Sequence, residues 1–114
     1  MAEKQIDTYS IMEYLQLEYQ SDIKNEYENG RVYAMSGGTI NHGIIGNNIN
    51  TELNTSLRSK ELDCVAINGD VRIWIEQAAS FVYPDGMLVC GGIESYEKDK
   101  NSIINPMLIV GNGC

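Results

Sequence analysis

The chain has few of the residues that build disulfide frameworks, zinc sites or nucleic-acid surfaces. Its 114 residues include three cysteines, one histidine, and eight lysines and arginines against sixteen acids, for a formal charge of −8. The cysteines form no Cys-x-x-Cys pair, and a zinc site is disfavoured because only His42 offers an imidazole. Cys64 and Cys90 lie in apolar strand patterns, so we expect both to be buried thiols.

Two further absences limit the class of protein. The sequence contains neither a signal peptide pattern nor an apolar run long enough to span a membrane, which predicts a cytoplasmic protein with no membrane partner. The shortage of basic residues argues against a standing nucleic-acid surface, because phosphates require a basic face. A metal ion can supply that positive charge, so nuclease chemistry stays open. The length predicts one domain over residues 1–114.

Two helices and a hairpin are predicted in the first half. Ser10-Ile11-Met12-Glu13 fits a capping box, followed by a short amphipathic helix to about Tyr19. Asn29-Gly30 between runs that carry tyrosine and valine is typical of a two-residue hairpin turn. The second helix has a one-sided apolar stripe at Ile45, Ile49, Leu53 and Leu57. His42 lies in its first turn, after the loop 36–39.

The second half predicts strands. Residues 64–67 and 71–75 are strand runs, and Asn68-Gly69-Asp70 between them is either a hairpin turn or a glycine bulge in one long strand. Residues 91–105 are polar and predict a loop, and residues 106–110 begin another buried strand. Helices over a mixed, largely antiparallel sheet make an α+β domain.

The run from Phe81 to Cys90 contains the main candidate site residue, Asp85. It reads as a buried strand with Asp85 at its mouth, where a carboxylate is costly to bury unless it is paired or holds a metal. By composition alone, Pro84-Asp85-Gly86 could equally be a simple turn. If residues 84–90 and 107–110 pair antiparallel, Asp85 faces residues 111–113. A carboxylate at 111 would share a divalent ion with Asp85, but position 111 is glycine.

Residues from about Ile11 to Val110 resemble the Uma-two family of restriction-type endonucleases, a branch of the PD-(D/E)XK nuclease superfamily. The order and spacing of several short segments carry the resemblance. They are Glu13-Tyr14-Leu15, Glu26-Tyr27-Glu28-Asn29-Gly30, Ala34-Met35-Ser36-Gly37-Gly38 with Asn41-His42, Asp70 with Val71-Arg72-Ile73, Tyr83-Pro84-Asp85, and Pro106-Met107-Leu108-Ile109-Val110.

The resemblance implies a restriction-endonuclease-like core and a metal-dependent endonuclease that hydrolyses DNA phosphodiesters with Mg²⁺ or Mn²⁺. Asp85 would be the main metal ligand, and Asp70 a second ligand or a water-orienting group. Glu26 would act behind a bridging water, and His42 near the phosphate. Without the resemblance, Asp70 reads as a turn residue, Glu26 as a solvated edge carboxylate and His42 as a surface or capping residue.

The sequence also departs from that family. Gly111 and the residues after it replace a Glu-Val-Leu segment whose glutamate is the family's second metal ligand, and the family's following helix, with its lysine, is absent. This predicts a domain truncated at its C-terminus that binds metal weakly and turns over little or no DNA. The alternative is a non-catalytic interaction module that forms homo-oligomers through an exposed sheet edge.

Overall fold

The computed structural model describes residues 8–35, 40–60 and 63–111, and side chains throughout except at positions 41, 42, 45 and 58–60. Two helices, nine strands and one short 3-10 turn (Glu76–Ala78) are found in these ranges. The elements are α1 (Ile11–Gln20), β1 (Asn25–Glu28), β2 (Arg31–Ala34), α2 (Ile40–Lys60), β3 (Cys64–Asn68), β4 (Arg72–Ile75), β5 (Ser80–Val82), β6 (Gly86–Cys90), β7 (Ser95–Tyr96), β8 (Asp99–Ile103) and β9 (Leu108–Val110).

The capping box and the hairpin are confirmed. The Ser10 hydroxyl accepts from the Glu13 backbone N–H at 3.0 Å, and the Glu13 carboxylate accepts from the Ser10 N–H at 2.7 Å, which fixes the start of α1. β1 and β2 pair antiparallel around Asn29 and Gly30, whose φ angles are +48° and +99°. Both central residues of this turn need positive φ, which asparagine and glycine tolerate best.

The strands form two sheets. In the six-stranded sheet the order is β2-β1-β5-β4-β8-β7, and in the three-stranded sheet it is β3-β6-β9. All pairs are antiparallel except β4 with β8, which are parallel. The predicted α+β class with a mixed, largely antiparallel sheet is therefore confirmed, although the strands divide between two sheets.

Two apolar clusters hold these layers together. Tyr14 and Leu15 of α1 pack on an aromatic group on one face of the six-stranded sheet, made of Tyr27, Trp74, Phe81 and Tyr96. The other face contributes Ile73 and Ile103, which pack with Met87 and Val89 of β6. Alternation along β4 explains the division, because Ile73 and Trp74 point to opposite faces.

Four expectations about strands need correction. The run from Phe81 to Cys90 is two strands in different sheets, separated at residues 83–85. Asn68-Gly69-Asp70 is neither a hairpin nor a bulge, because it carries the chain from β3 to β4, in different sheets. Residues 91–105 hold β7 and β8, which the polar composition concealed. β9 exists, but Leu108 and Ile109 are each 47% exposed, so it is not a buried strand.

The expectation for Cys64 and Cys90 is also wrong. They face each other across the β3–β6 pair, with Cα atoms 4.0 Å apart, and form a disulfide. Neither is buried. No spacing pattern predicts this bond, because the two cysteines are 26 residues apart and meet only through the register of β3 with β6.

Candidate functional site

The candidate site lies at the corner formed by Tyr83, Pro84 and Asp85, where the chain leaves β5 and enters β6. Two backbone N–H groups hold this corner at its ends. That of Tyr83 donates to Glu26 Oε2 at 2.8 Å, and that of Asp85 donates to the Val110 carbonyl at 2.8 Å. The corner is therefore tied to β1 on one side and to β9 on the other.

Gly69 explains how closely the segment between β3 and β4 approaches the corner. A Cβ at position 69 would lie 2.9 Å from the Pro84 carbonyl oxygen and 3.6 Å from the Asp85 Cα. Backbone atoms cannot give way easily, so only glycine fits at this position. This contact brings the backbone that precedes Asp70 against the backbone of Asp85.

The register between β6 and β9 places position 111 beside Asp85. Gly86 pairs with Val110 and Met87 with Ile109, in antiparallel order, so Gly111 is the next position opposite Asp85. The predicted antiparallel pairing is thus confirmed. Neighbouring strands lie about 4.8 Å apart, a separation that two carboxylates can bridge with one ion. Only Asp85 supplies a carboxylate at this pair of positions.

A small cavity lies over the corner, between it and α2. Its volume is about 10 Å³, room for one water-sized species. The lining residues are Gly46, Ile49, Asn50, Leu53, Asp85, Gly86 and Val110. Asp85 is half-buried here, and the Asn50 Oδ1 atom is buried without a hydrogen-bond partner among the described residues.

Asn50 was missed by the sequence reasoning. It follows Ile49 of the predicted apolar stripe and lies four residues after Gly46, on the same side of the helix. An asparagine beside an apolar stripe was the available signal. The stripe itself is confirmed at Leu57, which is buried, and at Ile49 and Leu53, which are half-buried.

Asp70 lies on the solvent side of the corner. Its side chain is 74% exposed and forms an ion pair with Lys24 Nζ at 2.9 Å. The same Nζ atom donates to the Gly69 carbonyl at 3.0 Å and lies 5.6 Å from the centre of the Tyr83 ring. Lys24 thus holds residues 69 and 70 against the corner. A metal ion bound by Asp70 would compete with Lys24 for the same carboxylate.

Glu26 is not the solvent-exposed carboxylate at a sheet edge that the sequence suggests without the family resemblance. It is half-buried in β1, opposite Tyr33 in the hairpin, and its carboxylate accepts the Tyr83 N–H. Its partner, Tyr83, precedes Asp85 by two residues along the chain. In the structure, Glu26 holds the corner by accepting the hydrogen bond from the Tyr83 N–H.

A buried polar network lies behind the corner. The Tyr83 hydroxyl donates to Glu18 Oε2 at 2.7 Å and accepts from Arg72 Nη1 at 3.0 Å. Arg72 also binds Asp99 through Nε at 2.9 Å and through Nη2 at 2.8 Å, and the Ser102 hydroxyl donates to the same carboxylate. The network joins α1, β4 and β8 to the corner, and sequence patterns gave no sign of it.

The ionisation of these groups follows from their burial. Desolvation, together with the hydrogen bond to Glu18, raises the pKa of Tyr83 to about 12, although Arg72 opposes the shift. Burial disfavours the charged form of Arg72, but Tyr83 and Asp99 outweigh it, and the pKa of Arg72 is raised. The guanidinium therefore keeps its charge beside Asp99.

His42 is placed only in part. α2 begins at Ile40, so position 42 is in the first helical turn, as predicted. Its side chain lies outside the described residues, and so does the loop 36–39 that precedes the helix.

Asp85 is the one carboxylate among the described residues that line the cavity. Within residues 8–35, 40–60 and 63–111, no three His, Cys, Asp or Glu side chains are grouped as metal ligands. Mg²⁺ commonly binds one or two carboxylates and fills its other positions with water and phosphate oxygens. Asp85 supplies one carboxylate, and the unsatisfied Asn50 oxygen is a hard donor of the kind these cations prefer.

Comparison with known proteins decides the family. The family model described as "Uma2: Putative restriction endonuclease" matches residues 11–111, which include both helices, both sheets and the Asp85 corner. The chain belongs to the Uma2 family. The resemblance found in the sequence is thereby confirmed, and the α+β fold is consistent with a restriction-endonuclease-like core.

Two Uma2-like relatives come from Synechocystis sp. The uncharacterized protein slr1290 is 34% identical over 98 residues, which are 86% of this chain and 50% of that protein. The uncharacterized protein sll1609 is 28% identical over 97 residues, 85% of this chain and 54% of that protein. The chain thus spans about half the length of the curated relatives it matches. Among the described residues no helix is long and apolar enough to cross a membrane.

Proposed function

We propose that this Uma2 chain is a metal-dependent DNA endonuclease domain in which Asp85 is the principal ligand of Mg²⁺ or Mn²⁺. The single observation that supports this most is the position of Asp85, half-buried at the mouth of the β6–β9 pair and beside a small cavity under α2. Carboxylate oxygens are the ligands that Mg²⁺ prefers, commonly one or two of them with water and phosphate oxygens.

Other residues of the chain would position Asp85 and the attacking water. Glu26 and the Glu18–Tyr83–Arg72–Asp99 network fix the corner, so Asp85 enters the cavity in one orientation. Asp70, exposed beside the corner and paired with Lys24, would orient a water molecule or share the ion once that pairing loosens. The bound ion would activate water and neutralise charge on the cleaved phosphodiester.

The cation would also provide the attraction that the chain lacks. At a formal charge of −8 the protein repels the DNA backbone at long range, and a divalent ion at Asp85 reverses the sign locally. Binding of DNA is therefore expected to depend on the metal.

We further propose that this chain has little turnover by itself. Position 111, opposite Asp85, is glycine and supplies no second carboxylate. Loss of one charge-stabilising group of an active site costs about 10²–10³ in rate. The chain is expected to bind Mn²⁺ weakly and to nick DNA barely or not at all.

The test is a supercoiled-plasmid nicking assay with Mg²⁺ or Mn²⁺, performed alongside metal titration. Gly111→Glu is expected to tighten Mn²⁺ binding, because it adds a carboxylate across the strand pair from Asp85. Asp85→Ala is expected to abolish binding in both backgrounds. Metal binding that survives Asp85→Ala would contradict the proposed site.

The alternative function, an interaction module, is favoured by one specific observation. β9 is the outer strand of the three-stranded sheet among the described residues, and Met107, Leu108 and Ile109 are 70%, 47% and 47% exposed. An exposed apolar edge strand invites pairing with another chain. Concentration-dependent dimerisation that is abolished by Ile109→Lys and indifferent to metal would support this function over the nuclease.

A further inference from the structure

A group of three sulfur atoms lies at the end of the β3–β6 pair that is far from the corner. Cys64 begins β3 and Cys90 ends β6, and their sulfur atoms form the disulfide. The Met107 Sδ atom lies 3.3 Å from Cys90 Sγ, in contact with that bond. A disulfide needs no third sulfur, so the bond itself does not account for the position of Met107.

The backbone holds this group together independently of the disulfide. The β3–β6 ladder continues from the two cysteines on one side, and on the other side the Gly91 N–H donates to the Asp63 carbonyl at 2.9 Å. The Met107 N–H donates to the Leu88 carbonyl at 2.7 Å, which fixes Met107 beside β6. Reduction of the disulfide therefore leaves two thiols and a thioether side by side.

The group is open to an ion from solvent. Cys64 and Cys90 are half-buried, and Met107 is 70% exposed. The unbranched Met107 side chain can adjust its distance to an ion, because it has three rotatable bonds. The place is also separate from the proposed nuclease site, since Asp85 precedes β6 and Cys90 ends it, roughly 16 Å further along an extended strand.

Sulfur ligands select the kind of ion. Thiolate and thioether groups favour Cu(I), whereas Mg²⁺ and Mn²⁺ prefer carboxylate, carbonyl and water oxygens. Zn²⁺ in structural sites takes four ligands, mainly from cysteine and histidine. Among the described residues no three His, Cys, Asp or Glu side chains are grouped as metal ligands, so the two cysteines have no further zinc ligand beside them there.

We propose that the reduced chain binds one Cu(I) ion through Cys64 Sγ, Cys90 Sγ and Met107 Sδ. A dithiol such as dithiothreitol supplies the two electrons and two protons that convert the disulfide into two thiols, and the dithiol is itself oxidised to a disulfide. Cu(I) then replaces the two thiol protons, which pass to solvent, and the Met107 thioether binds through a lone pair. The copper stays Cu(I) throughout. The disulfide form offers no thiolate and does not bind the ion.

A competition titration with bicinchoninate, a chelator that forms a coloured Cu(I) complex, tests the site. The full chain carries Cys114→Ser, so that Cys64 and Cys90 are its only thiols, and it is reduced with dithiothreitol and then freed of it under nitrogen. This protein should take one equivalent of Cu(I) from the chelator. Met107→Leu should lower the affinity by about tenfold or more, since the loss of groups outside a ligand set already costs about 10–100-fold.

The controls separate ligation from folding. The oxidised chain has the same fold without thiols and should take no Cu(I). Met12→Leu removes a methionine of α1 that is 60% exposed and should leave the Cu(I) affinity unchanged. Cu(I) should raise the unfolding temperature of the reduced chain, because it binds the folded state, and should raise it less in Met107→Leu. Met107→Leu should leave Mn²⁺ binding unchanged, so the sulfur group and the Asp85 corner are tested separately.

Three results would overturn the proposal. The first is a reduced chain that takes no Cu(I) from the chelator. The second is an affinity of Met107→Leu equal to that of the parent chain, which would show that Met107 is not a ligand. The third is Cu(I) binding of equal strength by the oxidised chain, which would place the ion elsewhere.

Discussion

At the residue scale, the corner is held by a tyrosine with two acidic partners. Glu26 accepts the Tyr83 backbone N–H, and Glu18 accepts its hydroxyl, while Arg72 donates to the same hydroxyl oxygen. Because Tyr83 is buried, these bonds replace hydration that it would otherwise lose. The orientation of Asp85, two residues away, depends on them.

Tyr83→Phe tests this arrangement. It leaves Glu18 and Arg72 each without one buried partner, so the free energy of unfolding should fall by about 1–3 kcal/mol in urea titration. Tyr33→Phe is the matched control, since Tyr33 is 46% exposed and should change stability by less than about 0.5 kcal/mol. Equal effects of the two substitutions would contradict a structural role for the network.

The raised pKa of Tyr83 also predicts an alkaline loss of stability. The folded state keeps the phenol proton up to a pKa of about 12, whereas the unfolded chain releases it near the ordinary value of 10.0. Above pH 10 the unfolded state therefore binds fewer protons, and stability falls as the pH rises toward 12. Urea titrations at increasing alkaline pH should show a shallower fall for Tyr83→Phe than for the wild type. A fall of equal steepness in the two proteins would contradict the assignment.

At the scale of elements, local signals predicted the features that one segment determines alone. The Ser10–Glu13 capping box, the Asn29-Gly30 turn and the stripe that contains Leu57 depend on neighbours within one or two turns of chain, and all three are confirmed. β8 was missed because its residues are mostly polar and take part in the Arg72–Asp99 pairing rather than in an apolar alternation. The division into two sheets occurs at Gly69 and at the corner 83–85, where the sequence left a turn and a continuous strand as open alternatives.

The hairpin allows a prediction about backbone conformation. Gly30 has φ of +99°, so Gly30→Ala should destabilise the protein by about 1 kcal/mol or more, because alanine is strained there. Asn29→Gly, at φ of +48°, tolerates the same turn and should change stability by only a few tenths. Thermal unfolding of the two variants measures the difference. Similar losses for both would show that the turn is not formed as described.

The disulfide predicts a dependence on redox state. Cys64 and Cys90 close a loop of 26 residues across β3 and β6, so reduction should lower stability by roughly 3 kcal/mol. Unfolding with and without dithiothreitol, beside the double variant Cys64→Ser with Cys90→Ser, measures this. The double variant should be insensitive to dithiothreitol. A wild-type chain equally insensitive to it would contradict the bond.

At the scale of the whole molecule, the family match and the strand register are independent findings. The Uma2 match covers residues 11–111, and the register places Gly111 opposite Asp85, the pair of positions on which the proposed nuclease site depends. The resemblance predicts Asp85, Asp70, Glu26 and His42 as site residues, and their roles stay predictions. The sequence could not predict their contacts, because these come from other elements, namely Lys24 for Asp70 and Tyr83 for Glu26. The place of Asn50 in the cavity could not be predicted, because the cavity forms only where α2 meets β6 and β9.

The central claim is that Asp85 anchors a divalent cation, and calorimetric titration of the full chain with Mn²⁺ tests it most directly. The wild type should bind weakly, Asp85→Ala should not bind, and Asp22→Ala, which removes an exposed acid elsewhere, should bind as the wild type does. If Asp85→Ala and Asp22→Ala bind Mn²⁺ equally well, the cation site is not at this corner.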